Sequence, residues 1–326
     1  MRGEFLGVVL AAAIPAAGPT ETVSAADVAM VPEEVVKELE ASNNVLVREM
    51  REFKASPAMV LLDEDGRRTL DRAIAFFGRY RRIGRSPEEL VGFFNGLSKL
   101  VGGRPGAEGV DGNATWRYSP PCNLERGDVV LARSLDVWSD YFARTSLRDK
   151  RFSHIAVVLS GGRDPVLVET GDGPDGETRF MKRKWEDVCG GSVDCAVYRY
   201  DGDSAVRSRI GDEAEKSLGI MFDSVFDLKT KKRLYCAEMV RNAVNAATGR
   251  ETIGTSKKGD FEYVAIDDCY RTGFVKVFDA REWKPPRQEE VANPLPGPAL
   301  HNASGTKASG SSATNRTTRI RIVPMH

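Results

Sequence analysis

Residues 152–159 read FSHIAVVL, and the interpretation of the fold starts from this stretch. Its β-branched residues favour a strand, Gly161–Asp164 has the composition of a tight loop, and VLVE at 166–169 favours a second strand. The two runs therefore predict a β-hairpin in the middle of the chain.

The register of this hairpin predicts which side chains meet. With Gly161–Asp164 as the loop, Ser160 faces Pro165 and Ala156 faces Glu169. His154 lies two residues from Ala156, so it shares a face with Glu169 as a diagonal neighbour at roughly 7–8 Å. A slip of one residue would send Glu169 to the opposite face. The predicted register makes Glu169 the partner that orients the imidazole of His154.

A cysteine opens the helix that follows. LYCAEMV at 234–240 leads into an amphipathic pattern whose apolar stripe is Ala237, Val240, Val244 and Ala247. Cys236 is thus expected in the first turn, where the positive end of the helix favours a thiolate. Backbone N–H groups at the same end can receive an oxyanion.

Cys236, His154 and Glu169 together have the composition of a thiol nucleophile, an imidazole base and an orienting acid. The other histidines, His301 and His326, lie in the polar C-terminal segment. Taken singly, a buried cysteine is more often a small core residue, and a strand histidine is often a hydrogen-bonded core residue. The joint arrangement favours cysteine-dependent cleavage of an amide or ester.

The composition is that of a globular protein without a charge bias. Of 326 residues, 47 are Lys or Arg and 47 are Asp or Glu, so no net charge favours a nucleic-acid partner. Residues 1–25 have the layout of a signal peptide, which predicts export to the periplasm or the extracellular space. The alternative is an Ala-rich tail. No other segment approaches ~18 uninterrupted apolar residues, so no integral membrane segment is expected.

The chain divides into segments by pattern. Residues 30–105 carry three helical patterns, one of which begins at Ser86-Pro87-Glu88-Glu89 with a typical helix start. Residues 115–284 contain strands and helices without a βαβ rhythm, which predicts an α+β domain with an antiparallel sheet. Residues 285–326 are expected to be a disordered low-complexity tail.

The five cysteines give an odd count, which leaves at least one thiol free in an exported protein. Cys189 and Cys195 flank a Gly-rich turn and are candidates for a local disulfide, which would leave Cys122 and Cys269 as a candidate second pair and Cys236 free. The sequence alone does not fix this connectivity. Zinc at the close pair is the rival interpretation, but partnering histidines are missing nearby. No cofactor or metal is expected.

These motifs carry a family resemblance. GDVV at 127–130, FSHIAVV at 152–158, VE at 168–169, FD at 226–227 and YCAEMV at 235–240 occur in the order found in circularly permuted NlpC-type papain-like hydrolases. The chain resembles their YiiX-like branch most, and AIDD at 265–268 with GFV at 273–275 is similar to that branch too. The match spans roughly residues 120–280.

The resemblance implies a permuted papain-like domain in which an antiparallel sheet packs on the nucleophile helix, with a small helical region before it. By motif position it makes Cys236 the nucleophile, His154 the base and Glu169 the third member. Relatives commonly have serine after the cysteine, where this chain has Ala237. Cysteine is also rare in relatives at the position of Cys269, which slightly supports a disulfide there.

The function expected from residues and resemblance together is that of a thiol hydrolase. It would cleave an amide bond in a cell-wall peptide or a small acyl-amide, either neutral or anionic, through an acyl-enzyme. Two alternatives stay open. One is a lipid-directed thiol acyltransferase or esterase, which an apolar groove beside Cys236 would favour, and the other is a catalytically silent binding module of the same fold. The oligomeric state is not predicted.

Overall fold

A computed structural model of the chain describes residues 32–83, 86–101, 115–134, 137–173 and 176–283. The expected signal peptide (1–25) and the expected low-complexity tail (285–326) lie outside these residues. No helix in the described ranges is both long enough and apolar enough to span a bilayer.

Three helices form the N-terminal part, as their periodicity predicts: α1 (Glu33–Ala55), α2 (Glu64–Arg79) and α3 (Pro87–Val101), with a 3-10 turn at Pro57–Leu61. The starts of α2 and α3 use side-chain caps. Asp63 Oδ1 accepts a hydrogen bond from the Gly66 N–H at 2.8 Å, and Ser86 Oγ accepts one from the Glu89 N–H at 3.2 Å. The Ser86 cap is the one that the sequence predicts.

An eight-stranded sheet forms the centre of the following region. Its strands are β1 (Val129–Ser134), β2 (His154–Ser160), β3 (Val166–Asp172), β4 (Thr178–Lys184), β5 (Ser192–Tyr200), β6 (Met221–Phe222), β7 (Arg233–Leu234) and β10 (Phe274–Asp279). They lie in the order β10-β5-β1-β2-β3-β4-β6-β7, and all neighbours are antiparallel except β6 and β7. A separate hairpin pairs β8 (Ser256–Lys258) with β9 (Phe261–Tyr263).

Helices cover this sheet: α4 (Val137–Thr145), α5 (Trp185–Cys189), α6 (Ser204–Glu215) and α7 (Cys236–Thr248), with 3-10 turns at Thr115–Arg117 and Ile266–Asp268. Alternate residues of the central strands enter two different apolar clusters. Val157 belongs to the larger cluster, which includes α7 and residues of the N-terminal helices, and Val158 belongs to a smaller cluster around Trp116 and Trp185. The predicted α+β class with an antiparallel sheet packed on the helix of Cys236 is confirmed.

The predicted register of the β2–β3 hairpin is correct where it matters for the site. Val157 pairs with Val168, which places Ala156 opposite Glu169, as the alternation predicts. Nearer the loop the prediction is wrong, because an irregularity in β2 pairs Ser160 with Val166 and not with Pro165.

The predicted disulfides are absent, since all five cysteines are free thiols in the structure. The sulfurs of Cys189 and Cys195 are close, at 3.6 Å, but unbonded. Cys269 is buried in the larger cluster, where its thiol donates to the carbonyls of Ala237 and Ala265. Cys122 packs against the smaller cluster, so the expected Cys122–Cys269 pair does not meet.

The first helix packs beside the region of Cys236. Arg48 makes two hydrogen bonds of 2.7 Å to the carboxylate of Glu177, just before β4. Phe53 packs edge-on against Phe226 with 5.9 Å between ring centroids, and Ser224 donates to Glu52 at 3.2 Å. α1 therefore supports the loop that lies between β6 and β7.

Candidate active site

Cys236 occupies the first position of α7, as the sequence predicts. Tyr235 precedes it in an extended conformation, and the Tyr235 hydroxyl accepts a hydrogen bond from the Val264 N–H at 2.7 Å. The predicted stripe of α7 is buried, with Ala237 and Val240 exposing 1% and 0% of their surface. Packing of this stripe fixes the helix start, and with it the position of the sulfur. Cys236 itself is 7% exposed and lines a pocket.

His154 begins β2 and joins the other two predicted site residues. Its Nε2 lies 2.6 Å from Glu169 Oε2, and its ring is also hydrogen-bonded to the side chain of Cys236. Because Nε2 is engaged with Glu169, Nδ1 is the ring atom left for the sulfur. The structure thus brings together all three residues that the sequence analysis singled out.

The environment of His154 favours its protonated form. Burial acts against the charged ring, but the hydrogen bonds to Cys236 and Glu169 and the charges of these groups outweigh it, raising the pKa of His154 from 6.5 to about 10. A protonated imidazole beside the sulfur stabilises a thiolate. The site therefore holds a proton on the ring at neutral pH.

Arg183 lies behind the carboxylate of Glu169 and was missed from the sequence. Its Nε is 3.5 Å from Glu169 Oε1, and both side chains are less than a tenth exposed. Glu169 pairs with Met181 across β3 and β4, so Arg183 stands two residues further along the neighbouring strand. The charged run RFMKRK at 179–184 hides this strand from the sequence, and its two buried residues, Phe180 and Arg183, are three positions apart and give no alternation.

Asp267 anchors the segment after α4. This residue is 1% exposed, and its carboxylate accepts hydrogen bonds from the backbone N–H groups of Leu147, Arg148 and Asp149 at 3.3, 2.9 and 3.1 Å. The hydroxyl of Tyr263 donates to the carbonyl of Thr145 at 2.7 Å. These bonds hold the end of α4 against the pocket beside Cys236.

Two buried carboxyl groups lie close to the start of α7. Asp223 accepts from the N–H groups of Val225 and Asp227 at 3.0 and 2.7 Å, which shapes the loop after β6. Burial, together with the neighbouring charge of Asp223, raises the pKa of Glu238 to about 8. Glu238 is 4% exposed, and its Oε2 has no hydrogen-bond partner among the described atoms. Glu238 is therefore protonated at neutral pH.

An apolar pocket adjoins the sulfur. Its lining includes Cys236 and five apolar side chains, Phe142, Phe222, Phe226, Val264 and Ile266. Within the described ranges, no cluster of three or more His, Cys, Asp or Glu side chains has an arrangement that would hold a metal ion. The chemistry that this arrangement can perform is attack by a thiolate on a carbonyl carbon, with an imidazolium as the proton donor.

Residues 123–267 match the family model described as a permuted papain-like amidase enzyme, the YaeF/YiiX, C92 family. This match confirms the resemblance to permuted papain-like hydrolases of the YiiX-like branch. Because the family is one of cysteine peptidases and amidases, it also identifies the protein as an enzyme of the thiol amidase class.

One solved structure is similar, a crystal structure of the metalloprotein yiiX from Escherichia coli O157:H7. The two chains share 14% sequence identity with a TM-score of 0.42, over 50% of this chain and 99% of that one. No curated protein sequence matches this chain.

Proposed function

We propose that the protein hydrolyses an amide bond through Cys236 as nucleophile, His154 as general base and acid, and Glu169 as the group that orients the imidazole. The observation that carries this proposal is the hydrogen-bonded chain from Glu169 through His154 to Cys236. Three residues from two separate parts of the chain converge at the start of α7, which a packing role for each would not require.

The reaction has two halves. The Cys236 thiolate attacks the carbonyl carbon, the C–N bond breaks, and His154 gives its proton to the departing amine, leaving a thioester. His154 then takes a proton from water, the hydroxide attacks the thioester carbon, and the C–S bond breaks to release the carboxylic acid and restore the thiolate. Glu169 stabilises the imidazolium in the resting and final states.

The start of α7 supports the tetrahedral intermediates. The first N–H groups of a helix have no acceptor within the helix, and the positive end of the dipole lies there. Cys236 is the first residue of α7, so the carbonyl oxygen of a bound substrate comes close to these groups during attack.

The proposed substrates are a cell-wall peptide or a small acyl-amide, and the proposed place of action is outside the cytoplasm, as the expected signal peptide implies. The family model supports an amidase at the level of its class. The exposed Lys229, Lys231 and Lys232 lie just upstream of Cys236 and can attract an anionic substrate.

The proposal is tested by turnover of an amide substrate in single variants. Cys236→Ala and His154→Ala are expected to abolish turnover while circular dichroism and the melting temperature stay close to those of the parent protein. Cys122→Ala, which removes a half-buried thiol on the other cluster, is the matched control and is expected to keep full activity. Full activity in Cys236→Ala or His154→Ala would end the proposal.

The apolar pocket favours a second candidate, acyl transfer to an amine or alcohol. In this case the same thioester forms, but an acceptor other than water attacks it. Product analysis with a primary amine added at increasing concentration separates the two. A constant yield of free acid supports hydrolysis, and a transfer product that displaces the acid supports the acyltransferase.

A further inference from the structure

Glu238 lies on the first turn of α7, two residues after the proposed nucleophile. Its carboxyl accepts a hydrogen bond from the Tyr235 N–H, the N–H group just before the helix. A glutamate at the third helical position that reaches back in this way fixes the entry of the chain into the helix. Glu238 therefore helps to hold the helix start, and with it the sulfur of Cys236, in place.

One oxygen of the Glu238 carboxyl is left over. The residue is 4% exposed, and its Oε2 has no hydrogen-bond partner among the described atoms. A buried oxygen without a partner carries a large desolvation penalty when it bears a negative charge. The penalty is smaller for the neutral acid, so the geometry favours a protonated Glu238.

The charged groups around Glu238 favour the same form. Asp223 and Asp227, in the loop after β6, both act on it with negative charge. Asp223 is 1% exposed and accepts hydrogen bonds from two backbone N–H groups, which favours its own charged form. The opposing cation, Arg241, lies one turn further along α7 and pairs with Glu251 at the surface, at 3.2 Å.

Three further ionisable groups lie near the start of α7 or touch the loop after β6, and none of them brings a positive charge to Glu238. Burial raises the pKa of the Tyr235 hydroxyl and of the Cys269 thiol, so both stay neutral in mildly alkaline solution. Glu52, on α1, adds a carboxylate that accepts from Ser224 in this loop. Burial is the largest of the causes that raise the pKa of Glu238 from 4.5 to about 8.

The protonation of Glu238 matters because of what the helix start does in the proposed reaction. The hydrogen bonds of α7 begin with the Met239 N–H, which donates to the Tyr235 carbonyl at 3.0 Å. The preceding N–H groups have no acceptor within the helix, and together with the helix dipole they favour a thiolate and an oxyanion at this end. A negative charge on Glu238, in the same turn, opposes both, whereas the neutral acid does not.

We propose that Glu238 is a positioning residue that acts as a neutral acid, fixing the start of α7 without placing a negative charge beside the sulfur of Cys236 and the oxyanion. Ionisation of Glu238 in alkaline solution then slows the attack of the sulfur on a carbonyl carbon. This inference rests on the proposed function, because it assumes that Cys236 is the nucleophile. It adds a pH-sensitive group to the site that titrates before His154, whose pKa is about 10.

The test is the initial rate at which 4-nitrophenyl acetate acylates Cys236 between pH 6 and pH 9, followed by intact-protein mass spectrometry. The nitrophenolate leaves without a proton from His154, so the loss of the imidazolium does not limit this rate. In the parent protein the rate is expected to fall at least about threefold between pH 7 and pH 9, as Glu238 becomes charged. In Glu238→Gln, whose side chain cannot ionise, the rate is expected not to fall over this interval.

Asp223→Asn tests the role of Glu238 in the opposite direction. The charge of Asp223 raises the pKa of Glu238, so its removal lets Glu238 ionise more easily and is expected to move the fall in rate to lower pH. Glu186→Gln changes an exposed glutamate in the first turn of α5 and is the matched control, expected to keep the parent profile. If one of the two buried variants fails to fold, the other still decides.

The outcomes separate the two proposals. Acylation of Cys236 that does not slow between pH 7 and pH 9 in the parent protein, or that slows equally in Glu238→Gln, overturns the role of Glu238 and leaves the proposed function standing. No acylation of Cys236 at any pH overturns the proposed function and the role of Glu238 with it. A fall in rate that Glu238→Gln removes and Asp223→Asn moves to lower pH supports both.

Discussion

His154 Nε2 lies 2.6 Å from Glu169 Oε2, and the same imidazole is hydrogen-bonded to Cys236. The carboxylate therefore acts on the sulfur through the ring, by holding a proton on it. Substitutions at the site can therefore be followed through their effect on the pKa of His154.

Replacing Glu169 by Gln is expected to shift the pH profile of activity. The pKa of His154 is raised to about 10, so the imidazolium needed to protonate the leaving amine persists to that pH in the parent enzyme. Without the negative carboxylate the pKa of His154 falls, and the alkaline limb of kcat/KM moves to lower pH. The exposed Glu186→Gln is the control, and an unchanged limb in Glu169→Gln would show that the carboxylate does not act on the ring.

The same raised pKa has a consequence for stability. The folded protein binds the His154 proton more tightly than the unfolded chain does, so the stabilising contribution is complete below pH 6.5 and is lost as the pH rises through about 10. In His154→Phe, chemical denaturation at pH 6 and pH 10 should therefore show a weaker loss of stability with pH than the parent protein shows. An equal loss in both proteins would contradict this.

Glu238→Gln is expected to stabilise the protein at alkaline pH. Burial and the nearby Asp223 raise the pKa of Glu238 to about 8, above its value of 4.5 in an unfolded chain. The folded state thus favours the protonated acid, and stability falls as the pH rises through about 8. At pH 9 the variant should be more stable by roughly 1–3 kcal/mol, the cost of an unsatisfied buried polar group.

Urea denaturation at pH 6 and pH 9 measures this effect. Glu251→Gln is the matched control, because the Glu251 side chain is 66% exposed and pairs with Arg241 at the surface. If Glu238→Gln were no more stable than this control at pH 9, ionisation of Glu238 would not lower the free energy of unfolding.

Asp267→Asn is expected to loosen the segment that follows α4. Asn keeps one carbonyl oxygen but loses the charge that three backbone N–H groups share, so unfolding should become easier by about 1–3 kcal/mol. Thermal unfolding measures this effect. The exposed Asp260→Asn is the control, and equal stability of the two variants would show that the three bonds contribute nothing.

Phe53→Leu is expected to affect the pocket beside Cys236 from α1. Phe53 packs on Phe226, a wall residue, so the substitution should raise KM for an amide substrate as well as lower stability by about 1 kcal/mol. Phe93→Leu removes an equally buried ring whose partners are other residues of the N-terminal helices. It should lower stability without changing KM. Equal KM values in the Phe53 and Phe93 variants would show that α1 does not influence the pocket.

Much of the site could be predicted from sequence because its geometry depends on short-range periodicity. The alternation in 152–159 and 166–169 fixes which face each residue of the hairpin occupies. The predicted register of Ala156 and Glu169 is correct because the irregularity in β2 offsets a loop that is one residue longer than predicted. The apolar stripe of α7 likewise fixed the position of Cys236 at the helix start.

The rest depends on contacts between distant residues, which periodicity does not encode. Arg183 approaches Glu169 from a strand whose charges mask its pattern, and Asp267 finds its three N–H partners in a loop more than a hundred residues earlier. The expected disulfides were wrong for a related reason. The spacing of cysteines does not show whether their thiols are turned toward each other or toward backbone carbonyls.

The central claim is that the imidazole of His154 activates the sulfur of Cys236 as a nucleophile. The most direct test is the rate of alkylation of Cys236 by iodoacetamide at pH 7, read by mass spectrometry of the peptide that contains it, in the parent protein and in His154→Ala. The account predicts rapid alkylation in the parent protein and a decrease of at least about tenfold in the variant. An unreactive Cys236 in the parent protein would indicate a silent binding module, and equal rates in both proteins would contradict activation by the imidazole.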